Sequence, residues 1–156
     1  MADITDLYQS LILDHNRSPR THGPPAVVDR VADGRNPMCG DQLRVWVTLD
    51  DDKVSEVRFA GKGCAISQAS ASLMTVAVKG KTRDEAERIF ERFHDLVTGK
   101  PVDDTSRAAL GKLVAFGGVS RFPARVKCAS LGWHAMRAAL NGAKAPVAAA
   151  PAVSTE

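Results

Sequence analysis

The spacing of apolar residues predicts a helix followed by an antiparallel pair of strands. Apolar side chains recur at the i, i+3, i+4 spacing of one helix face over residues 4–12. Apolar and polar residues then alternate over residues 43–49 and again over residues 56–59, which is typical of half-buried strands. Residues 50–53 read as the turn that joins them, and a third strand is expected near residues 27–31.

Beyond residue 64 the apolar spacing changes to that of helices. One helix is expected from residue 65 to a stop near Gly80, and a second opens at the capping-box pattern of residues 82–85 and closes at Gly99. A loop over residues 100–105 and a short helix over residues 106–116, ended by two glycines, follow. The last helix starts at Pro123, which suits the first helical position, and ends at Gly142. Its predicted buried stripe is Ala124, Cys128, Leu131, Ala135 and Ala138.

The order of these elements predicts the class of fold. Strands followed by helices favour an α+β fold, a small antiparallel β-sheet with helices packed on one side. The chain has 156 residues, a length that suits one domain with one core, and we assign that domain to residues 1–142. Residues 143–156 are rich in Ala and Pro with little bulk to bury, so a disordered tail is expected there.

Composition and charge exclude several classes of function. The formal net charge is only +3, and the chain holds one Tyr and two Trp, so neither a basic surface nor stacking platforms for nucleic acid are indicated. No long apolar run follows the N-terminus, which predicts neither a signal peptide nor a membrane span and leaves the cytoplasm as the expected location. Three cysteines in a reducing compartment favour metal binding or thiol chemistry over disulfides.

All three cysteines lie at the ends of predicted elements. Cys39 is in a turn before the first clear strand, Cys64 follows a glycine-rich break, and Cys128 is in the first turns of the last helix. Helix N-termini favour the thiolate form that a metal or a sulfur-transfer reaction requires. Spacing alone leaves two interpretations open, a shared metal site or separate cysteines buried as small apolar residues, because the sequence has no CxxC pair.

Other residues offer weaker signals. Asp41 by its position is a turn or capping residue. The four histidines, His15, His22, His94 and His134, are expected to be solvated or packed rather than metal ligands, and Trp133 and Phe122 are expected to serve packing.

Five segments of the chain carry recognisable motifs. In order they are LY, DH and PR at 7–8, 14–15 and 19–20, NPMCGD at 36–41, GKGCAIS at 61–67, ASAS and MT at 69–72 and 74–75, and RFPARVKCA at 121–129. Together these segments resemble the iron–sulfur cluster scaffold family that includes IscU and the N-terminal domain of NifU. The resemblance runs from about residue 7 to residue 140.

Two departures from IscU make the chain more similar to the SufU branch. Lys127 stands where IscU-like scaffolds carry a histidine before the third cysteine, and their Leu-Pro-Pro-Val-Lys chaperone motif is absent. The interval from Cys64 to Cys128 is also longer than in IscU, and the extra residues, about 100–118, resemble the SufU-type insertion.

The resemblance implies a fold, a metal site and a reaction. It implies the SufE/NifU-like (IscU-like) fold and zinc bound by Cys39, Asp41, Cys64 and Cys128. The implied reaction is transfer of persulfide sulfur from a SufS-type, PLP-dependent cysteine desulfurase, with delivery to downstream Fe–S assembly proteins. Cys39 is the expected persulfide acceptor, because it lies in a loop whereas the other thiols are anchored by helices.

Three alternatives remain at this point. An IscU-type scaffold would assemble a [2Fe–2S] cluster, or hold iron, on the same ligands. A zinc hydrolase would need an open metal position and a general base, and no Glu accompanies the cysteines in a recognisable motif. A purely structural zinc module would use Cys or His ligands, so Asp41 argues mildly against it.

Overall fold

The computed structural model describes residue 10, residues 12–15, 23, 25, 29–36, 40–142 and 152–154, and the description here is confined to them. Residues 12–15 are helical. Beyond them the elements are β1 Arg30–Asn36, β2 Asp41–Asp50, β3 Lys53–Lys62, α1 Ala65–Val78, α2 Arg83–Val97, α3 Asp104–Leu110, a 3₁₀ helix Gly111–Arg121, α4 Pro123–Asn141 and β4 Ala152–Ser154.

The strands form a single sheet in the order β3-β2-β1-β4. β1, β2 and β3 are antiparallel neighbours, which confirms the predicted hairpin of β2 and β3. Alternate residues of β2, Leu43, Val45 and Val47, are buried in the main hydrophobic core. Asp51, in the turn, takes a positive φ of 56°. Leu43, Val45 and Val47 therefore lie on one face of the sheet, the face that the helices cover.

The helices pack on that face and confirm the predicted α+β arrangement. α4 contacts β1, β2, α1 and α2, so it is the central helix of the layer. Its fully buried Trp133 stacks on Phe93 of α2, with ring centroids 4.7 Å apart. The Trp133 indole N–H donates to Ser70 Oγ of α1 at 3.1 Å. One side chain thus joins three helices.

The predicted helix signals hold at the starts of α2 and α4. Thr82 Oγ1 accepts a hydrogen bond from Glu85 N at 3.1 Å, and Thr82 N donates to the Glu85 carboxylate at 3.2 Å, so the capping box is complete. Pro123 occupies the first turn of α4. These signals were local in the sequence and correctly fixed where the two helices begin.

The boundaries of two predicted elements were wrong. The strand expected near residues 27–31 is β1, which begins at Arg30 and extends to Asn36. The helix expected over residues 106–116 begins at Asp104 and ends at Leu110, where Gly111 takes a positive φ of 57°. A 3₁₀ helix then runs through the two glycines to Arg121. Residues three apart share one face of a 3₁₀ helix, and three such side chains are buried here, Leu113, Phe116 and Val119.

The predicted buried stripe of α4 was partly wrong. Ala124 is exposed and Ala138 only half-buried. Burial instead extends over consecutive residues 128–133, because the sheet, α1 and α2 cover more than one side of this helix. A single stripe is expected only where a helix faces a single neighbour.

Part of the predicted tail takes regular structure. Ala152–Ser154 forms β4, which pairs in parallel with Asp33, Gly34 and Arg35 of β1. For these three residues the structure differs from the expectation of a disordered tail, and residues 143–151 and 155–156 lie outside the described residues. In the part of the chain that the structure describes, no helix is both long enough and apolar enough to span a membrane.

Candidate metal centre

The fold brings together three of the four predicted metal ligands. One donor atom each from Asp41, Cys64 and Cys128 lies within 4.8 Å of the other two. Asp41 is the first residue of β2, Cys64 is the N-cap of α1, and Cys128 lies in the second turn of α4. Cys39, the fourth predicted ligand, lies outside the described residues. The cluster therefore sits where the sheet and two helices meet.

The β2–β3 pairing places Asp41 beside Cys64. Gln42 pairs with Lys62, so the start of β2 lies next to the end of β3, from which the chain turns into α1. Gly61 makes this approach possible: its φ is +148°, and a Cβ there would overlap the carbonyl oxygen of Gln42. The glycine before Cys64, Gly63, is equally confined, since a Cβ would overlap Ser67 Oγ and lie 3.2 Å from Asp41 Oδ1.

The two carboxylate oxygens of Asp41 have different surroundings. Oδ1 accepts a hydrogen bond from the backbone N–H of Cys64 at 3.0 Å. Oδ2 lies 3.8 Å from Cys64 Sγ. Asp41 is only 3% exposed, so this hydrogen bond holds a buried carboxylate in place. One oxygen is fixed by the backbone, and the other faces the thiol.

Cys128 is positioned by the packing of α4 on α1. The side chain is buried, at 4% exposure. At the next residue, the Ala129 carbonyl oxygen accepts a hydrogen bond of 2.5 Å from Ser70 Oγ, and Ser70 in turn accepts from Trp133. These buried hydrogen bonds fix the position of α4 along α1, and with it the position of the Cys128 sulfur.

Ser67 is a further residue of the site that sequence reasoning missed. Its Oγ donates to the Cys64 carbonyl oxygen at 3.1 Å and lies 3.9 Å from Cys64 Sγ. A signal was present in the sequence, because a hydroxyl three residues after a helix N-cap returns to the same side of the helix.

The donor set fits zinc. With Zn–S bonds of about 2.3 Å and Zn–O bonds of about 2.0 Å, neighbouring donors in a tetrahedron are about 3.5–3.8 Å apart. An oxygen–sulfur pair takes the shorter of these values, so the 3.8 Å between Asp41 Oδ2 and Cys64 Sγ has to close by about 0.3 Å for both atoms to bind one zinc ion. Two thiolates and one carboxylate leave one tetrahedral position for a further ligand. Cys64 is exposed while Asp41 and Cys128 are buried, so the centre opens to the surface on the Cys64 side.

The three histidines that the structure describes are not part of this cluster. His15 is buried and its Nδ1 lies 2.7 Å from Ser72 Oγ, so it packs against α1. His94 and His134 lie around Phe90, with their ring centroids 6.1 Å apart. His22 is outside the described residues. Trp133 packs in the core, and Phe122 packs at the surface, 48% exposed, under the guanidinium of Arg125.

The chain combines an α+β fold with an Asp, two Cys and a glycine-rich strand-to-helix turn at one junction. The chain belongs to the NifU-like N terminal domain family, whose sequence profile matches residues 7–142. The family predicted from the five sequence segments is thereby confirmed.

Curated relatives within this family point to the SufU branch. The chain is 45% identical over 136 residues to the zinc-dependent sulfurtransferase SufU of Bacillus subtilis, covering 86% of this chain and 90% of that protein. It is 37% identical over 141 residues to the iron–sulfur cluster assembly scaffold protein IscU of Streptococcus pyogenes, covering 90% and 87%. The predicted similarity to SufU-type members is confirmed.

A solved structure supports the same fold. A candidate iron–sulfur cluster assembly scaffold protein for the SUF system, from the thermophile Fervidobacterium islandicum AW-1, superposes with a TM-score of 0.80. It is 35% identical and covers 86% of this chain and 97% of that one. The NifU-like fold predicted from the resemblance is confirmed.

Proposed function

We propose that this protein is an iron–sulfur cluster biogenesis protein of the SufU type, a zinc-dependent sulfurtransferase that accepts persulfide sulfur from a cysteine desulfurase. The observation that carries the proposal is the convergence of Asp41, Cys64 and Cys128 within 4.8 Å. Its similarity to a protein named zinc-dependent sulfurtransferase supports the choice of metal and reaction.

The proposed zinc ligands are Asp41, Cys64 and Cys128, with Cys39 as the fourth. Zinc, when bound, keeps its cysteine ligands in the thiolate form at neutral pH. The hydrogen bond from Cys64 N to Asp41 Oδ1 leaves Oδ2 as the ligand atom. Four protein ligands close the coordination sphere, which disfavours a hydrolase that needs metal-bound water.

Cys39 is the proposed persulfide acceptor. Its thiolate attacks the outer sulfur of the desulfurase persulfide, a new S–S bond forms on Cys39, and the desulfurase cysteine leaves as a thiolate. This exchange needs no external oxidant or reductant, because the sulfur arrives already in the persulfide oxidation state. A thiolate released from the site as the partner docks would regain the nucleophilicity that coordination lowers.

The proposed partner is a PLP-dependent cysteine desulfurase of the SufS type, and Fe–S assembly proteins receive the sulfur downstream. The partner's persulfide has to approach from the exposed side of Cys64, since Asp41 and Cys128 are buried. This chemistry requires reduced thiols, which supports a cytoplasmic location.

A second candidate function is that of an IscU-type scaffold. The similarity to the IscU scaffold of Streptococcus pyogenes favours it, and the same four ligands suffice for a [2Fe–2S] cluster. Under this function iron and sulfide are cargo assembled on the site.

Elemental analysis and sulfur loading distinguish the two functions. The anaerobically purified protein is analysed for zinc, iron and acid-labile sulfide, then incubated with the desulfurase and cysteine and examined by mass spectrometry. One zinc per chain, no iron and an added mass of about 32 Da for one sulfur are expected. Iron with acid-labile sulfide would instead support the scaffold, and a sample incubated without cysteine is the control.

A further inference from the structure

We propose that a cationic cleft at the opposite end of α1 from Cys64 is a docking site for an acidic, amphipathic segment of a partner protein. The cleft lies between the C-terminal end of α1, α2 and α3, and its volume is about 520 Å³. Its walls carry four basic side chains, Lys79, Lys81, Arg88 and Arg92. This inference is independent of which metal the site holds.

The net positive charge of the cleft equals that of the whole chain. The four basic side chains and the single acidic one, Glu85, leave a charge of +3. The whole chain has a formal net charge of +3, so its other charged residues balance one another. A cleft lined by one sign of charge attracts and orients a partner of the opposite sign.

None of the four basic side chains forms an ion pair within 4.0 Å among the described residues. Two of them still act on nearby carboxylates. Hydrogen bonds from Ser106 and, after them, the charge of Arg92 lower the pKa of Asp103. Hydrogen bonds from Thr82 and, after them, the charge of Lys81 lower the pKa of Glu85. Among the described residues, ion pairs within 4.0 Å join Arg44 to Asp33, Arg58 to Glu56, Lys100 to Asp95 and Arg137 to Glu87, all with bases outside the cleft. The Glu85 carboxylate is held in the α2 capping box by Thr82 N. Lys79 and Arg88 are therefore the cations best placed to pair with a partner's carboxylates.

Apolar side chains line the cleft between these cations. Val76 is 57% exposed, and on the described surface only Leu13 and Phe122 are other large apolar residues with such exposure. Ile89 of α2 also lines the cleft but is only 6% exposed, so Val76 supplies most of the apolar contact. An apolar surface edged by cations complements a segment whose one face is apolar and whose flanks carry Asp or Glu. The described lining contains no aromatic side chain, which disfavours a nucleic-acid strand that needs stacking.

The position of the cleft allows it to act together with the metal centre. Cys64 caps the N-terminus of α1 and Val76 lies twelve residues further along the helix, a rise of about 18 Å. A segment held at Val76 would leave the exposed side of Cys64 open. A partner can thus be retained on this protein while sulfur chemistry proceeds at the other end of α1.

The test uses the full-length protein and a fluorescein-labelled synthetic peptide that forms an amphipathic helix of Glu and Leu. Fluorescence anisotropy is measured at low and high salt. We expect saturable binding that weakens with salt, and at least a roughly tenfold loss of affinity in Lys79→Glu/Arg88→Glu. Val76→Asp should also weaken binding. Lys112→Glu, an exposed charge reversal outside the cleft lining, is the matched control and should bind like the unaltered protein.

Several outcomes would overturn the proposal. These are no peptide binding by the unaltered protein, equal binding by Lys79→Glu/Arg88→Glu, or equal loss in Lys112→Glu. Displacement of the peptide by inorganic phosphate beyond that caused by chloride of the same ionic strength would indicate a simple anion site. Binding to phosphatidylserine vesicles that needs Lys79 and Arg88, without peptide binding, would indicate a membrane surface. Circular dichroism and metal content verify that each variant is folded.

Discussion

Asp41 and Cys64 are joined twice, once through the backbone and once through their side chains. The Cys64 N–H donates to Asp41 Oδ1 at 3.0 Å, and Asp41 Oδ2 lies 3.8 Å from the Cys64 sulfur. The first contact is structural, since it satisfies a backbone donor at the N-terminus of α1. The second places a carboxylate oxygen where a metal bound by Cys64 would find it. The two contacts can be separated by mutation.

Asp41→Asn should separate the two contacts. The amide oxygen still accepts from Cys64 N, so the fold should remain, but the carboxylate ligand is lost and zinc affinity should fall by about tenfold or more. Asp41→Ala removes both contacts and should also lower stability, by about 1–3 kcal/mol. Affinity is measured by competition with a chromophoric chelator, and stability by urea unfolding. Equal zinc affinity in Asp41→Asn and the unaltered protein would show that Asp41 is not a ligand.

Gly63→Ala should disturb the centre through Ser67. The new methyl group overlaps Ser67 Oγ and lies 3.2 Å from Asp41 Oδ1, so both side chains must move and zinc affinity should fall several-fold. Adding Ser67→Ala removes the overlapping hydroxyl and should recover part of the affinity. Ser67→Ala alone is the control. If Gly63→Ala binds zinc like the unaltered protein, the turn is not as confined as described.

The three cysteines should differ in their roles. Cys39→Ala should lose the added sulfur after incubation with the desulfurase and cysteine yet stay folded, with Asp41, Cys64 and Cys128 still holding zinc. Cys64→Ala and Cys128→Ala should lose more metal, and Cys128→Ala more stability, because Cys128 is buried and Cys64 exposed. Mass spectrometry locates the sulfur in each variant. Persulfide on Cys128 in the unaltered protein and in Cys39→Ala would move the acceptor role to α4.

Metal removal should destabilise the whole fold. The donor cluster joins β2, α1 and α4, so the free energy of zinc binding adds to that of folding. A strong chelator should lower the melting temperature by about 10 °C or more. Differential scanning calorimetry before and after chelation, with zinc added back as the control, measures the shift. An unchanged melting curve after proven zinc removal would contradict a structural role for the metal.

His134 should make stability depend on pH. Burial, with the nearby charges of His94 and Arg137, lowers the pKa of His134 below its ordinary value of 6.5. Glu91 and Asp95 of α2 also line the space around this ring. The unfolded chain then binds a proton that the folded protein excludes. Stability should therefore fall as the pH drops through 6.5 and level off below the lowered pKa of the folded protein.

His134→Gln removes this titration while keeping a polar side chain. The free energy of unfolding, measured with urea at several values between about pH 7.5 and 5.5, should decline less in the variant than in the unaltered protein. Both proteins are compared after chelation, so that competition between protons and zinc does not contribute and the freed ligands titrate alike in both. Parallel curves for the two proteins would rule out His134 as the source.

The sequence predicted best what depends on neighbouring residues. The alternation of Leu43, Val45 and Val47 with polar residues predicted β2, and the capping box of residues 82–85 predicted the start of α2. Asp41, Cys64 and Cys128 were identified because the motifs around them resemble those of a family. Their convergence needed the fold, since it depends on strand register and helix packing.

Other features lacked a distinctive local pattern. Leu113 and Phe116, three residues apart, fit an α-helix as well as the 3₁₀ helix that they form, so the boundary at Gly111 was missed. Ser70 is a single hydroxyl whose importance comes from Ala129 and Trp133, about sixty residues away. β4 pairs with β1 through backbone groups, which any sequence except proline provides, so an alanine-rich tail gave no sign of it.

The wide separation of the donors along the chain has a kinetic consequence. Asp41 and Cys64 are 23 residues apart, and Cys64 and Cys128 are 64 apart. Closing loops of this length costs chain entropy, so one ion can join all three donors only once β2, α1 and α4 have come together. We therefore expect the metal to be bound late in folding. Interactions made after the barrier slow unfolding and leave the folding rate almost unchanged. A bound ion would thus slow unfolding, and the rate at which it dissociates would limit the lifetime of the native state.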